Sequence, residues 1–190
     1  MIALTGASRI SWMLSTASCD SIIATANSRD RGVNDLSSAL KRRFNFETVL
    51  PIQNLKQERE LVQTQMERRL DRAGIPVKFT EDATELLVTT FHELRSGKTM
   101  GGQAIETLTT VMSTAEAVEV GYASSLHAYY FGKSSVQPDH IVDNIVGAAL
   151  KENADDLKKL RLYFNQVVKG RKGKNWQAYY EASRKVLKGS

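Results

Sequence analysis

Few residues in this chain have the type and spacing that chemistry needs, and each has an ordinary structural explanation beside it. Asn27 closes the apolar run Ser21-Ile22-Ile23-Ala24-Thr25-Ala26. Its amide would stand where a strand ends, a place where asparagine is often simply a turn residue. Lys41-Arg42-Arg43 ends a short helical pattern, where guanidinium groups either meet an anion or merely complement the helix dipole. Ser96-Gly97-Lys98-Thr99 looks like the end of a phosphate-binding loop. Such a loop needs a glycine at position 92, a strand before it and a helix after it, so that backbone amides surround the phosphates. His92 stands there instead, the preceding residues are helical, and Met100-Gly101-Gly102 follows. His92, His127 and His140 have no carboxylate or cysteine at ligand spacing, which argues against a metal site, and no Ser-His-Asp arrangement is legible.

The elements that would carry these residues change character along the chain. Residues 1–19 show no clear period, and they lack the basic start and apolar stretch of a secretory leader. The run 21–26 reads as a strand delivering its last residues into the polar loop 28–34. Asp35 can cap a short helix through Leu36, Ala39 and Leu40 to Arg43. Asn45 to Leu50 alternates and ends at Pro51, reading as a second strand. From there the pattern is helical. Asn54 can cap Leu55 to Ala73, with Leu61, Val62, Met66 and Leu70 on one stripe and Gly74 as its stop. Thr80 introduces a helix bearing Leu86, Leu87, Phe91 and Leu94 and ending at Ser96-Gly97. Ser113-Thr114-Ala115-Glu116 is a capping box for a helix running to Phe131 and Gly132. Pro138 opens another, with Ile141, Ile145, Val146, Ala149 and Leu150 inward, and two more over about 154–169 and 174–188 complete the pattern.

Composition sets the frame without naming a function. With 190 residues, 42% hydrophobic and 25% charged, a packed core is expected and a disordered or collagen-like class is excluded. The single cysteine, Cys19, suits a reducing cytoplasm, and no apolar run approaches the ~18 residues of a membrane span. The net charge of +5 is lopsided. Residues 1–150 hold 15 Lys and Arg against 17 Asp and Glu, whereas 151–190 hold 11 against 4. The basic stretch 169–188 interleaves Trp176, Tyr179 and Tyr180 with Lys172, Lys174, Arg184 and Lys185, a mixture that can stack and neutralise nucleic acid. The preferred reading puts Trp176, Tyr179, Tyr180 and Val186 on one apolar helix face docked on the preceding helices, with the lysines solvated.

Two strands and six helices do not make a complete α/β fold, since parallel sheets usually have four or more strands. The stretch from Ile22 to Asp30, followed by Leu36-Ser37-Ser38-Ala39-Leu40-Lys41-Arg42-Arg43-Phe44, resembles the second half of an AAA+ ATPase core of the MoxR type. Leu94-Arg95-Ser96-Gly97-Lys98-Thr99, Met112 to Ala117 and the helix Asp139 to Lys151 resemble the helical lid of a MoxR-related subgroup, so the likeness covers about residues 20–185.

The resemblance implies a mostly α chain. A remnant of the AAA+ P-loop NTPase core, two strands and a short helix over 20–51, would be followed by a helical lid over 52–152 and a basic helical extension over 153–190, with 1–19 unassigned. It implies that Asn27 is sensor 1, orienting the attacking water and touching nucleotide, and that Arg43, with Arg42 as its neighbour, is an arginine finger acting on a neighbouring subunit. It further implies a cytoplasmic parent that binds ATP and Mg2+, forms a ring of six subunits and remodels client proteins or inserts metal into them. No G-x-x-x-x-G-K-[ST] occurs in the 190 residues, no apolar strand ends in Asp-Asp or Asp-Glu, and positions 113–118 offer no sensor 2 arginine. This chain alone is therefore expected neither to bind nucleotide tightly nor to hydrolyse it. A reading from a different class is a non-enzymatic helical adaptor whose tail at 169–188 binds nucleic acid.

Overall fold

A computed structural model describes residues 2–4, 24–25, 42–43, 45–48, 50–131, 135–149 and 155–187. It divides into two compact units, Met1–Pro51 and Ile52–Ser190.

In the first unit three short strands pair in parallel: β1 (Ile2–Leu4), β2 (Ala24–Thr25) and β3 (Phe46–Thr48), in the order β2-β1-β3. Ile2 and Ala3 lie opposite Ala24 and Thr25 on one side, and Ile2, Ala3 and Leu4 opposite Phe46, Glu47 and Thr48 on the other. The central strand thus comes from the segment that shows no period in the sequence, which corrects the expectation of two strands. Three residues are too few to display the alternation that marks a strand. Of the short helix expected over 35–43, only Arg42 and Arg43 fall among the described residues, and they form a turn.

The second unit is built from six helices: α1 (Leu55–Ala73), α2 (Glu81–Ser96), α3 (Thr114–Tyr130), α4 (Pro138–Ala149), α5 (Asp155–Gln166) and α6 (Lys174–Val186). The ends follow from local chemistry. Asn54 Oδ1 accepts the amides of Lys56 and Gln57 at 2.9 and 3.2 Å, and Gly74 closes α1 in the left-handed region at φ 65°. Thr80 caps α2, and Gly97 ends it at φ 70°. Ser113 and Glu116 cap α3 reciprocally, the Glu116 carboxylate accepting the Ser113 amide at 2.8 Å.

Packing centres on α2, which touches α1, α3, α4 and α6 and buries ten of its residues. The buried stripe of α1 is Glu58, Val62, Met66 and Leu70, at a spacing of four. Leu61, expected on that stripe, is 40% exposed, because successive residues lie roughly 100° apart around a helix and the stripe is centred on Val62, Met66 and Leu70. One apolar cluster runs from Val62 to Leu187, so the C-terminal helices share the core of the preceding ones. Tyr179 is fully buried and shares a 3.2 Å hydrogen bond with Thr90, and Trp176, Tyr180 and Val186 pack at the cluster's edge, as the docked-face reading requires.

Gly121 is where α3 comes closest to its neighbours. A Cβ there would lie 2.8 Å from Met66 Sδ and 3.2 Å from a Leu87 methyl, both on fully buried side chains. Gly121→Val is therefore expected to cost about 1–3 kcal/mol of unfolding free energy, seen as a lower urea midpoint with an unchanged slope.

Candidate functional site

Of the residues singled out from sequence, Asn27 lies outside the described residues. Arg42 and Arg43 are exposed in the turn that leads into β3. Because the three strands run parallel, this turn sits at the edge where the strands begin. Ligands of open parallel sheets bind beyond the opposite edge, at the carboxyl ends of the strands.

The built polar geometry of the chain lies in the helical unit, around the connection 97–113 between α2 and α3. Three fully buried carboxylates hold it. The first is Glu58, on the inner stripe of α1. Its Oε1 accepts from Thr114 Oγ1 at 2.7 Å and from Arg95 Nη2 at 2.8 Å; its Oε2 accepts from Arg95 Nη2 at 2.7 Å and lies 3.0 Å from His92 Nδ1. A carboxylate only accepts, so His92 carries its proton on Nδ1, and the 3.5 Å approach of Arg95 Nη2 to that nitrogen is not a hydrogen bond. The other arm of Arg95 donates to the Met112 carbonyl at 3.0 Å. Met112 is fully buried at φ 51°, a strained conformation for a residue with a side chain, and the Arg95 bond is one of the contacts that hold it there. Burial alone would raise the Glu58 pKa. The hydrogen bonds from Arg95, Thr114 and His92, with the Arg95 charge, outweigh it and hold the group below the ordinary range.

The second is Glu93 on α2. Oε1 accepts the Met100 amide at 2.8 Å and a bond from Arg171 Nη2, while Oε2 accepts from Tyr163 Oη at 2.7 Å. Burial, then the Glu93 charge, push the Tyr163 phenol far up, so it stays protonated as a donor. Arg171 lies 4.1 Å over the Trp176 ring, which covers one face of the indole. The third is Asp156, in the first turn of α5, which accepts the amides of Thr109 and Thr110 at 2.9 and 3.2 Å and the Thr109 hydroxyl at 3.0 Å. Burial raises its pKa, but these donors and Lys159 lower it further. The connection is therefore tied to α1 and α2 through Arg95 and Thr114, to α2 through Met100, and to α5 through Thr109 and Thr110.

Within the connection, Lys98 pairs antiparallel with Ala104, and the Thr99 amide donates to the Gln103 carbonyl at 2.8 Å, so 97–105 is a hairpin with Met100-Gly101-Gly102 at its tip. Ser96-Gly97-Lys98-Thr99 thus leaves a helix and enters a hairpin, the reverse of the strand-to-helix setting that a phosphate loop requires. Position 116 holds the carboxylate of a capping box. His127 and His140 stack with centroids 4.8 Å apart, and no group of three His, Cys, Asp or Glu suited to a metal ion occurs among the described residues.

The sequence of the helical unit has counterparts in known proteins. The family described as YehL-like AAA+ ATPase C-terminal domain matches residues 56–188, nearly the whole helical unit. The chain belongs to this family. It is 47% identical over 168 residues to the Escherichia coli (strain K12) protein YehL, itself described as uncharacterized; the match covers 87% of this chain and 45% of that protein. The chain thus spans somewhat less than half the length of this relative. No solved structure matches it. In the YehL-like domain no helix among the described residues is long and apolar enough to cross a membrane.

Sequence reasoning missed the buried carboxylates of the YehL-like domain. A signal existed. Glu58 falls four residues before Val62 on the stripe Val62, Met66, Leu70, and Glu93 sits between Phe91 and Leu94, both on the inner face of their helix. A carboxylate at a core position needs a cation, and Arg95 and Arg171 are those cations.

Proposed function

We propose that this chain is the portion of a MoxR-like AAA+ ATPase that carries the end of the α/β core and the helical lid, with Asn27 as sensor 1 and Arg43, flanked by Arg42, as an arginine finger. Family membership supplies the AAA+ frame. The observation that carries the finer reading is the position of Arg42 and Arg43, exposed in a turn at the edge where the parallel strands begin. A cation on that edge faces away from the ligand edge of its own sheet, so it is suited to complete the site of the next subunit in a ring. The order β2-β1-β3, with the strand before Asn27 and the strand after Arg43 on either side of a third, is compatible with the open parallel sheet of a mononucleotide-binding core.

The parent would bind ATP with Mg2+, assemble as a ring, with six subunits the expected number, and spend hydrolysis on remodelling a client protein or inserting a metal into it. The residues present fit only part of such a site. They supply a cation from outside, but no phosphate-loop motif occurs in the 190 residues, and Ser96 to Thr99 run from a helix end into a hairpin. Bound ATP–Mg2+ would supply the bond to be cleaved. The role of Arg43 is to bring positive charge to a neighbour's site without binding nucleotide itself. Residues 1–190, purified, are expected to show no magnesium-dependent ATP turnover, while the longer protein containing them turns over. Turnover by the 190-residue chain itself would overturn this reading. The adaptor reading has less support: of its aromatic residues, Tyr179 is buried and Trp176 lies under Arg171, so neither ring is open for a base to stack on.

A further inference from the structure

The C-terminal helices reach the connection between α2 and α3 at two separate places. Near its end the reach is direct: the Asp156 carboxylate takes the Thr109 and Thr110 amides, and Lys159 Nζ donates to the Thr107 carbonyl at 3.1 Å. At the hairpin it is indirect. The Met100 amide ends on Glu93 Oε1, the same oxygen that accepts from Arg171 Nη2, and Tyr163 Oη donates to Oε2. Glu93 belongs to α2, whereas Tyr163 lies on α5 and Arg171 in the segment joining α5 to α6. A fully buried carboxylate stays ionised only while a cation accompanies it, and Arg171 is the cation paired with this one. An ionised oxygen is the stronger acceptor, so the Met100 bond depends on Arg171 although the two residues are far apart in sequence. Among the described residues, that bond is also the only hydrogen bond from 99–103 to a residue outside the hairpin. Met100 and Arg171 line the same open cleft of about 530 Å³, Met100 with Thr99 and Gln103, and Arg171 with Trp176, whose ring its guanidinium covers at 4.1 Å.

We infer that Arg171 is a positioning residue: with Glu93 it forms a latch by which the C-terminal helices hold the hairpin tip against α2. Withdrawing the guanidinium frees the tip while the helices stay packed. By linkage, whatever seats the tip also favours the seated Arg171. A change at α5 and α6 is thereby passed to one rim of the cleft through a single carboxylate oxygen. The stretch 107–110 does not share this response, because its own anchors, Asp156 and Lys159, do not act through Glu93. The inference is independent of the roles given to Asn27 and Arg43.

Hydrogen–deuterium exchange of the 190-residue chain, read on its peptides by mass spectrometry, tests the latch. Arg171→Met removes the charge and keeps a long stem beside Trp176. It should speed exchange in 97–105 by about ten-fold or more, the effect of losing a hydrogen bond to a charged acceptor, while 107–112 and α1 keep their rates. Arg171→Lys retains the charge and should keep most of the protection. Tyr163→Phe removes the other side-chain donor to Glu93 with little change of shape and should speed the same peptide, so the answer does not hang on whether Arg171→Met folds. Unchanged exchange at 97–105 in whichever of these two variants folds would overturn the proposal. So would equal acceleration of 97–105, 107–112 and α1, which is what general destabilisation produces, or equally fast exchange in Arg171→Lys and Arg171→Met, which would remove the charge from the argument.

Discussion

Glu58→Ala should destabilise the helical unit by about 3–5 kcal/mol, the cost of breaking a buried ion pair by removing one partner. The variant leaves the Arg95 guanidinium, 11% exposed, without its counter-ion, and removes an acceptor from His92 and Thr114 at once. Replacing Glu58 and Arg95 together by methionine should recover part of that loss, because the uncompensated charge is then gone. Urea unfolding followed by circular dichroism measures both. The same node predicts the response to acid. The pKa values of Glu58 and Asp156 are held below those of the unfolded chain, so the native state binds fewer protons than the unfolded state as pH falls. Their stabilisation is fully present above the ordinary carboxylate range and is lost as pH falls through the lowered values. The urea midpoint should therefore drop on acidification below about pH 5, and less steeply in Glu58→Ala. An equal slope in both proteins would mean that Glu58 is not the titrating group.

Arg43→Ala, made in the longer protein, should lower ATP turnover by about 10³-fold or more, the range found for arginines supplied across an interface, with nucleotide affinity close to normal. Arg43 lies in a turn on the strand-start edge of its own sheet, so on the reading proposed above its loss should leave nucleotide binding at the opposite edge undisturbed. Arg42→Ala should have a smaller effect, since the neighbour can contribute charge but is one residue displaced. Turnover and nucleotide affinity, measured on the same preparations, separate the outcomes. Unchanged turnover in Arg43→Ala would remove the finger role, and a parallel loss of affinity would make Arg43 a binding residue instead.

What was legible in the sequence was what neighbouring residues decide among themselves. Asn54, Thr80 and the Ser113–Glu116 box set helix starts within four residues, and Gly74 and Gly97 set stops through their own φ, so the first three helices could be placed from local chemistry. The inner stripes were legible where apolar residues dominate, as on α2 and α4, and failed at Leu61, where burial depends on which helix happens to lie opposite. The three carboxylates were not read because their partners are far along the chain: Glu58 meets Thr114, Glu93 meets Tyr163 and Arg171, and Asp156 meets Thr109. β1 was missed because three residues carry no period. Asn27 and Arg43 came from a family resemblance, and the geometry bears on Arg43 through the position of its turn alone.

The three carboxylates also reverse the usual standing of a long loop. Connections without secondary structure are ordinarily where a chain is nicked by proteases or tolerates inserted sequence. In 97–113, the amides of Met100, Thr109 and Thr110 end on carboxylates sealed inside the domain, and the Met112 carbonyl ends on Arg95. Cleaving or lengthening the anchored stretch from Leu108 to Met112 would strip these bonds from the core, while the exposed hairpin tip Met100-Gly101-Gly102 stays open to solvent. A tag, a label or a permuted terminus placed within 108–112 would disturb what it was meant to report on, so the hairpin tip is the better point of entry in this connection.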